Sequence, residues 1–382
     1  MKLRNLISLA LMCACSASPA YQVLPKVSDV DRKLATHSGS ATALSIKQFF
    51  VAGIAMLKGP VHESITLAAL DCQIDRGSEA RCVTLDRVRK HQMVLYGVRW
   101  PDDPPFLPEY SPSLKKLGCL KNVTIRSTAQ PDCWLGLFKA AGKEAMLHSG
   151  TAPAFGPGTM ILYRTHFGDL QFLHSMGAVD GESASETKSK MKMWAEYLWG
   201  IAIGSLPSDE PIKSLGVKGL DYFFPGDMTT SNLLATGIIE PRDHLDEVAI
   251  GVLLHMVQDS FSGAHTKREQ SSGGKCPQFK RFESPGRIAE FYGYAKQNSS
   301  LHDDEDTSRA LSLHTVQNRP SVVQVSSDFL TLWRERRSWA EVEPFFECTF
   351  ALANPNIEAG PGPFRSEEPR QPRPRRQGRA GS

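Results

Sequence analysis

The segment 255–265, with the sequence HMVQDSFSGAH, ends a run of apolar residues whose spacing is typical of a helix. A spacing of four places His255 and Asp259 on one face of that helix, so an imidazole and a carboxylate can reach the same cation. His265 follows just after the turn that contains Gly263. The pattern predicts the centre of a metal site. The alternative is an ordinary helix end, at which a histidine has a capping partner.

Four other segments carry histidine, acidic residues or both: 62–63 (HE), 100–103 (WPDD), 165–167 (THF) and 302–306 (HDDED). His302 and Asp306 are again four residues apart, although an acidic run is also typical of a solvated helix start. The sequence has no Cys-x2-Cys zinc pattern, so His and Asp are the available ligands, as hydrolytic zinc sites generally prefer.

In this order, the five motifs resemble the superfamily that joins bacterial zinc-dependent phospholipases C to single-strand-specific zinc nucleases. The resemblance spans roughly His62 to Asp306. It implies an all-α fold, a single multi-helix domain that encloses a multinuclear zinc site, with long loops held by disulfides. It also implies two or three zinc ions as cofactors and the hydrolysis of a phosphodiester.

The same resemblance implies eight metal ligands: His62, Asp102, His166, His255, Asp259, His265, His302 and Asp306. Two of them, Asp102 and Asp259, are the expected catalytic residues, and Asp259 would bridge two metal ions. Asp102 is preferred to Asp103 because WPD resembles the W-x-D of the nuclease branch, but either carboxylate could serve.

The resemblance divides these ligands among three metal positions. One zinc is expected at four residues: Asp102, His166, His255 and Asp259. A second is expected at three: His265, His302 and Asp306. In the family, a third zinc is bound by an N-terminal Trp together with a His and the bridging Asp. His62 corresponds to that His, but no Trp precedes Trp100 in this chain.

Tyr163, Arg164 and Phe167 are the candidate substrate-binding residues. Tyr163 occupies the position at which the bacterial phospholipases carry an aromatic residue that lines the choline pocket, where a quaternary ammonium over a ring gains about 1 to 2 kcal/mol. Arg164 could contact a phosphate, and Phe167 matches an aromatic residue in both branches. A core tyrosine and an exposed arginine are the alternatives. His174, two helical turns after His166, could replace a ligand or orient one.

These features together predict a zinc-dependent phosphoric diester hydrolase that resembles phospholipase C and cleaves a phospholipid to diacylglycerol and a phosphorylated headgroup. The alternatives are a nuclease or 3′-nucleotidase on the same scaffold, with nucleic acid as the partner, an HD-type phosphohydrolase, and a non-catalytic surface protein that binds metal structurally. The net charge of +3 includes +4 from residues 360–382 and +2 from residues 1–20, which leaves −3 for the rest. This charge disfavours binding of long polyanions.

Residues 1–20 are typical of a signal peptide, because Lys2 and Arg4 precede an apolar run and small residues precede Tyr21. We therefore expect a secreted or periplasmic protein, with a lipoprotein anchor at Cys15 as the alternative. Residues 21–44 are predicted to be an N-terminal arm and residues 45–352 the catalytic domain. Residues 353–382 are predicted to be a disordered tail rich in Pro and Arg, which could make a peripheral membrane contact.

Six cysteines follow the predicted signal peptide, and an even number in an exported protein suggests disulfides. About fifteen pairings are possible. The spacings favour three of them: Cys72 with Cys82, Cys119 with Cys133, and Cys276 with Cys348. Apolar residues at helical spacing predict helices at 45–57 and 61–70 and two further helices with buried faces. The residues of those faces are Met191, Trp194, Leu198 and Ile201 in one helix and Val322, Val325, Phe329 and Leu332 in the other.

Overall fold

The computed structural model of the chain describes residues 61–71, 85–148, 152–294, 296–305 and 319–365. The predicted signal peptide, the N-terminal arm, the helix at 45–57, the Cys72–Cys82 pair and Asp306 lie outside the described residues. None of the described helices is both long and apolar enough to span a bilayer.

The described part of the chain is mainly helical. Its α-helices are α1 (Val61–Asp71), α2 (Leu85–Lys90), α3 (Gln92–Arg99), α4 (Pro112–Lys116), α5 (Pro131–Leu147), α6 (Ile161–Phe167), α7 (Ala184–Ala202), α8 (Leu220–Phe223), α9 (Thr230–Leu234), α10 (Leu245–Asp259), α11 (Ser299–Glu305), α12 (Val322–Arg334) and α13 (Trp339–Thr349). Short 3₁₀-helices lie at Gln171–His174, Ile212–Ser214, Glu240–His244 and Gly362–Phe364.

The prediction of an all-α fold needs a correction, because the chain between α10 and α11 forms two small antiparallel sheets. Strand β1 (Thr266–Arg268) pairs with β4 (Ile288–Phe291), and β2 (Lys275–Cys276) pairs with β3 (Phe279–Glu283). Strands of two to five residues are too short to show a period of two in the sequence. The fold is therefore mainly α.

Helix α10 is the central element of the fold. All of its residues except Asp246 and Glu247 are buried, and it packs against α3, α7 and α12. A helix that is apolar on every side is stable only when other elements surround it. Its C-terminal turn, which carries His255 and Asp259, is consequently enclosed by neighbouring segments.

Two glycines allow α3 and α10 to cross at very short distance. A Cβ atom at Gly97 would lie 2.1 Å from the Val248 carbonyl oxygen, and one at Gly251 would lie 2.2 Å from the Val94 carbonyl oxygen. Both distances are far below ordinary van der Waals contact, so only glycine fits at either position. The close crossing brings the C-terminal end of α3, and Asp102 just after it, against the last turn of α10.

The predicted core helices are confirmed. Helix α1 covers the predicted range 61–70, and the two apolar stripes at 191–201 and 322–332 are buried in α7 and α12. Helix α7 begins with a capping box in which Ser183 and Glu186 exchange hydrogen bonds, and this satisfies donors that a helix start leaves without partners.

Two of the predicted disulfides are present, Cys119–Cys133 and Cys276–Cys348. The first joins the loop after α4 to the start of α5, beside a second hydrophobic cluster that includes Phe138 and Phe167. The second joins strand β2 to α13. Helix α5, which the first disulfide fastens, carries Phe138, whose ring packs against His166 at 4.8 Å.

Residues 353–365, called here the C-terminal segment, continue the fold beyond the predicted domain end at 352. Ser183 pairs with Glu358, Tyr292 with Gly360, and Gln297 with Arg365 in isolated β-bridges. Such pairing depends on backbone groups of distant residues, so the Pro-rich composition gave no sign of it. Residues 366–382 lie outside the described residues.

Candidate metal centre

Seven of the eight predicted ligands lie in the described part of the chain, and the fold brings them to one place. Helix α10 supplies His255 and Asp259, and six other segments each supply one residue: α1 (His62), the turn after α3 (Asp102), α6 (His166), the 3₁₀-helix at 171–174 (His174), the turn before β1 (His265) and α11 (His302). All eight of these side chains are at most 4 % exposed. His174, which the sequence suggested as a replacement for a ligand or as a residue that orients one, is thus a full member of the group.

Asp259 lies at the centre of the group. Its Oδ1 is 3.3 Å from His62 Nε2, and its Oδ2 is 2.9 Å from His174 Nδ1 and 3.0 Å from His255 Nε2. His265 Nδ1 is 3.6 Å from the same Oδ2. Both oxygens of this carboxylate therefore face imidazole nitrogens.

Asp102 also faces this centre, and Asp103 does not. The Asp102 oxygens lie 3.8 Å from both His174 Nδ1 and His255 Nε2 and 4.0 Å from His62 Nε2. Asp103 instead accepts hydrogen bonds from the Ser127 backbone N–H (2.8 Å) and hydroxyl (2.7 Å). Of the two adjacent carboxylates that the sequence left open, Asp102 is therefore the one in position to bind a metal.

Two sets of three side chains have their ligand atoms within 4.8 Å of one another: His62, His255 and Asp259, and Asp102, His166 and His174. Two ligands of one tetrahedral zinc lie about 3.4 Å apart, because each is 2.0 to 2.2 Å from the metal. In the first set, His62 Nε2 and His255 Nε2 are near this spacing, at 3.3 and 3.0 Å from oxygens of Asp259. The grouping differs from the one implied by the family resemblance, since His174 joins Asp102 and His166.

Hydrogen bonds hold the imidazole rings in position. In five histidines, Nδ1 lies against an oxygen: His62 with Gln258 Oε1 (2.6 Å), His166 with Leu162 O (3.1 Å), His255 with Val98 O (2.7 Å), His265 with His174 O (2.6 Å) and His302 with Gln297 Oε1 (2.5 Å). A carbonyl oxygen can only accept, so the proton of each neutral ring is on Nδ1 and Nε2 keeps a lone pair. Metal-binding histidines are typically held in this way.

Several buried polar atoms of the group have no hydrogen-bond partner within the described residues. They include Nε2 of His166, Nε2 of His174 and Oδ1 of Asp259. Leaving such an atom unsatisfied costs about 1 to 3 kcal/mol. A cation that accepts these lone pairs would offset that cost, so the residues present fit a metal site.

Burial determines the protonation of the group. It lowers the pKa of His255 to about 3, and it lowers the pKa values of His166 and His174 as well. Burial alone would raise the pKa of Asp259, but His255, His265 and the hydrogen bond with His174 together bring that pKa well below its usual value. At neutral pH these histidines are uncharged and Asp259 is ionised, which is the state that binds a divalent metal.

A small cavity of about 10 Å³, room for about one water molecule, borders the group. Its lining residues are Thr165, His166, Gln171, His174, Met176, His265, Tyr294 and His302. Tyr294 is only partly buried, and its ring packs against His302 at 4.8 Å. It is the aromatic side chain at this cavity.

The three predicted substrate-binding residues do not line the cavity. Arg164 donates to both oxygens of Asp169 at 2.8 Å and to the Phe223 carbonyl, so its guanidinium is used in a buried ion pair. The Tyr163 ring packs on Phe155, and Phe167 packs on Phe138. In this structure all three have packing or ion-pair roles.

Sequence reasoning missed two glutamines, Gln258 and Gln297, and the cavity residue Tyr294. Gln258 directly precedes Asp259 in the H-x3-D motif, and that position was the one available signal. Nothing in the local sequence of Gln297 or Tyr294 indicates proximity to the histidines.

The comparisons with known proteins give no relative: no family model matches the chain, and no match was found among the curated proteins or the solved structures. Any assignment of function therefore depends on the geometry of the site and on the motif resemblance.

Proposed function

We propose that the protein is an exported zinc-dependent phosphodiesterase resembling phospholipase C, which hydrolyses a phospholipid to diacylglycerol and a phosphorylated headgroup. The observation that carries this proposal is the buried group of six histidines around Asp102 and Asp259, in which five rings are held through Nδ1. A purely structural cluster has no need to direct so many nitrogen lone pairs toward one place.

His62, His255 and Asp259 would hold one zinc ion, and Asp102, His166 and His174 another. When bound, zinc activates a water molecule for attack on phosphorus and offsets the charge of the phosphoryl oxygens. His265 and His302, whose ring centroids are 4.9 Å apart, would contribute to a further ion. Two zinc ions exceed the two carboxylates by two positive charges, so the site would attract an anionic ester.

The residues of the chain perform three tasks in this proposal. The hydrogen bonds to Nδ1 keep the rings in place, which reduces the reorganisation needed when substrate binds. Burial keeps His166, His174 and His255 uncharged at neutral pH, so protons do not compete for their lone pairs. Tyr294 borders the cavity and would contact the headgroup.

Charge favours a small or lipid-borne phosphodiester over a long nucleic acid. The chain between the predicted signal peptide and residue 360 carries a net charge of −3, whereas binding to polyanions depends on neutralising many phosphates. The two disulfides are compatible with export, because such bonds persist mainly in oxidising compartments.

The test is a parallel assay of the purified, zinc-loaded protein on phosphatidylcholine in mixed micelles, on single-stranded DNA and on 3′-AMP. We expect release of phosphocholine, with loss of that activity after chelation and recovery on adding zinc. The Asp259→Asn variant serves as the inactive control. Cleavage of DNA or 3′-AMP without phospholipid hydrolysis would assign the site to a nuclease instead, and zinc binding without hydrolysis of any substrate would indicate a structural metal site.

A further inference from the structure

We propose that Gln297 is a positioning residue that sets the tautomer and ring orientation of His302, and that the C-terminal segment (353–365) holds Gln297 in place. This inference rests on the proposed metal-binding function. It concerns a residue that acts on candidate metal ligands and not on the substrate.

The hydrogen bonds of Gln297 define the orientation of its amide. Nε2 donates to the carbonyl oxygens of Ala264 (2.8 Å) and Pro361 (3.3 Å), and Oε1 is 2.5 Å from His302 Nδ1. Both carbonyls can only accept, so the amide nitrogen must face them and the amide oxygen must face His302. His302 must then carry its proton on Nδ1, which leaves Nε2 as the atom with a lone pair.

One amide thereby connects two candidate ligands. Ala264, whose carbonyl Gln297 binds, immediately precedes His265, and the His265 ring centroid is 4.9 Å from that of His302. A shift of Gln297 would consequently change the position of both rings. Gln297 is 8 % exposed, so water cannot readily replace the hydrogen bonds it makes.

The C-terminal segment fixes Gln297 from the opposite side. Besides the bond from Gln297 to Pro361, the Asn298 backbone N–H donates to the Phe364 carbonyl (2.6 Å), and the Gly293 N–H donates to the Gly360 carbonyl (2.8 Å). The chain on both sides of Gln297 is therefore attached to residues 360–364. A segment expected to be a tail thus supports a candidate metal ligand.

The chain offers a matched control in Gln130. Its Nε2 donates to the carbonyls of Val123 (2.8 Å) and Thr124 (3.4 Å), and its Oε1 accepts from the Leu120 N–H. It is 5 % exposed, much like Gln297, but none of its partners is a histidine. Gln130→Met should therefore lower the free energy of unfolding about as much as Gln297→Met does, without affecting a metal ligand.

The experiment measures zinc stoichiometry and affinity of the full chain by competition with a colorimetric chelator, for wild type, Gln297→Met, Gln297→Glu and Gln130→Met. We expect Gln297→Met to lower the affinity for one zinc per chain by about 10- to 100-fold and to leave the other zinc bound. Gln130→Met should bind zinc like wild type. Gln297→Glu keeps an acceptor for His302 Nδ1 but loses the donor that faces the Ala264 and Pro361 carbonyls, so it should restore only part of the lost affinity.

The visible spectrum of the cobalt-substituted protein gives a second readout, because ligand-field bands report the coordination of the ion and do not follow stability. We expect Gln297→Met to change them and Gln130→Met to leave them unchanged. Ending the chain at Ala359 should resemble Gln297→Met, and ending it at Arg365 should resemble wild type. Wild-type zinc affinity and spectrum in Gln297→Met, or equal zinc loss in Gln130→Met, would overturn the positioning role. A wild-type protein that binds no zinc would overturn the proposed function itself.

Discussion

Replacing Gly251 with alanine should weaken both the fold and the metal centre. The new Cβ would lie 2.2 Å from the Val94 carbonyl oxygen, 2.8 Å from the Val98 nitrogen and 2.9 Å from the Gly97 Cα, which are all rigid backbone atoms. Reaching ordinary contact at 3.4 Å requires α3 and α10 to separate by about 1.2 Å. The nearby His255 Nδ1 to Val98 O bond, now 2.7 Å, would lengthen beyond hydrogen-bonding distance.

The expected loss of stability in Gly251→Ala is the sum of two unfavourable terms and one favourable term. Overpacking costs about 1 to 3 kcal/mol, and loss of a buried hydrogen bond costs about 1 to 3 kcal/mol. The higher helix propensity of alanine returns about 0.5 to 1 kcal/mol. We therefore expect Gly251→Ala to lower the free energy of unfolding by about 3 kcal/mol, which lowers Tm by about 6 to 12 °C for a domain of this size.

The assay combines thermal unfolding with zinc analysis. Gly136→Ala in α5 is the control, because its new Cβ would meet only the flexible Leu117 side chain at 3.1 Å, and a change of less than about 1 kcal/mol is expected. Gly251→Ala should also bind less zinc at temperatures where it stays folded. A Gly251→Ala protein with wild-type Tm and zinc content would refute the close crossing as the feature that positions His255.

Three further predictions follow from the same structure. Asp259→Asn should abolish hydrolysis and lower zinc content, whereas Asp103→Asn should mainly lower stability. Parallel measurements of zinc content, turnover and Tm for the two variants would distinguish these effects. Equal zinc loss in both variants would contradict the assignment of Asp259 as a metal ligand. Removing residues 366–382 should leave turnover of a soluble phosphodiester unchanged but weaken binding to anionic vesicles at low salt. Five arginines are lost, and each basic residue near such a surface contributes about 1 kcal/mol. A fall in turnover of the soluble substrate would show that these residues belong to the catalytic unit. Burial raises the pKa of Asp328 to about 6, so the folded protein loses stability as pH rises through about 4 to 6. In urea unfolding, Asp328→Asn should therefore raise the free energy of unfolding by about 1 to 3 kcal/mol at pH 7 and leave it unchanged at pH 4. An equal gain at both pH values would contradict this linkage.

The parts of the fold that the sequence predicted correctly are those that local patterns determine. Apolar residues at helical spacing identified α1 and the buried faces of α7 and α12, because burial of one helix face repeats along the chain. The spacing of cysteines identified the two disulfides that the structure describes.

The parts that the sequence did not predict depend on contacts between distant residues. His174 reaches Asp259 across 85 positions from a short 3₁₀-helix that has no periodic signal. Gln297 contacts Pro361 across 64 positions, and the C-terminal segment is fixed by backbone hydrogen bonds, which any residue type except proline can donate. Composition therefore placed the predicted domain end at 352, before residues 353–365, which hydrogen bonds attach to the domain.

In the candidate site, too, the sequence predicted the local arrangement but not the contacts that depend on the fold. The H-x3-D spacing in α10 predicted that His255 and Asp259 would share a helix face, and their Nε2 and Oδ2 atoms are 3.0 Å apart. Arg164, by contrast, was considered as a residue that could contact a phosphate. Its partner Asp169 is only five residues away, but nothing in the sequence showed that the pair would be buried together.

The most direct test of the account is the metal content of the purified protein, measured by inductively coupled plasma mass spectrometry together with phosphodiesterase activity before and after chelation. The buried histidine and aspartate group predicts two or three zinc ions per chain and an activity that disappears and returns with them. An active protein that contains neither zinc nor a similar divalent metal would contradict the account.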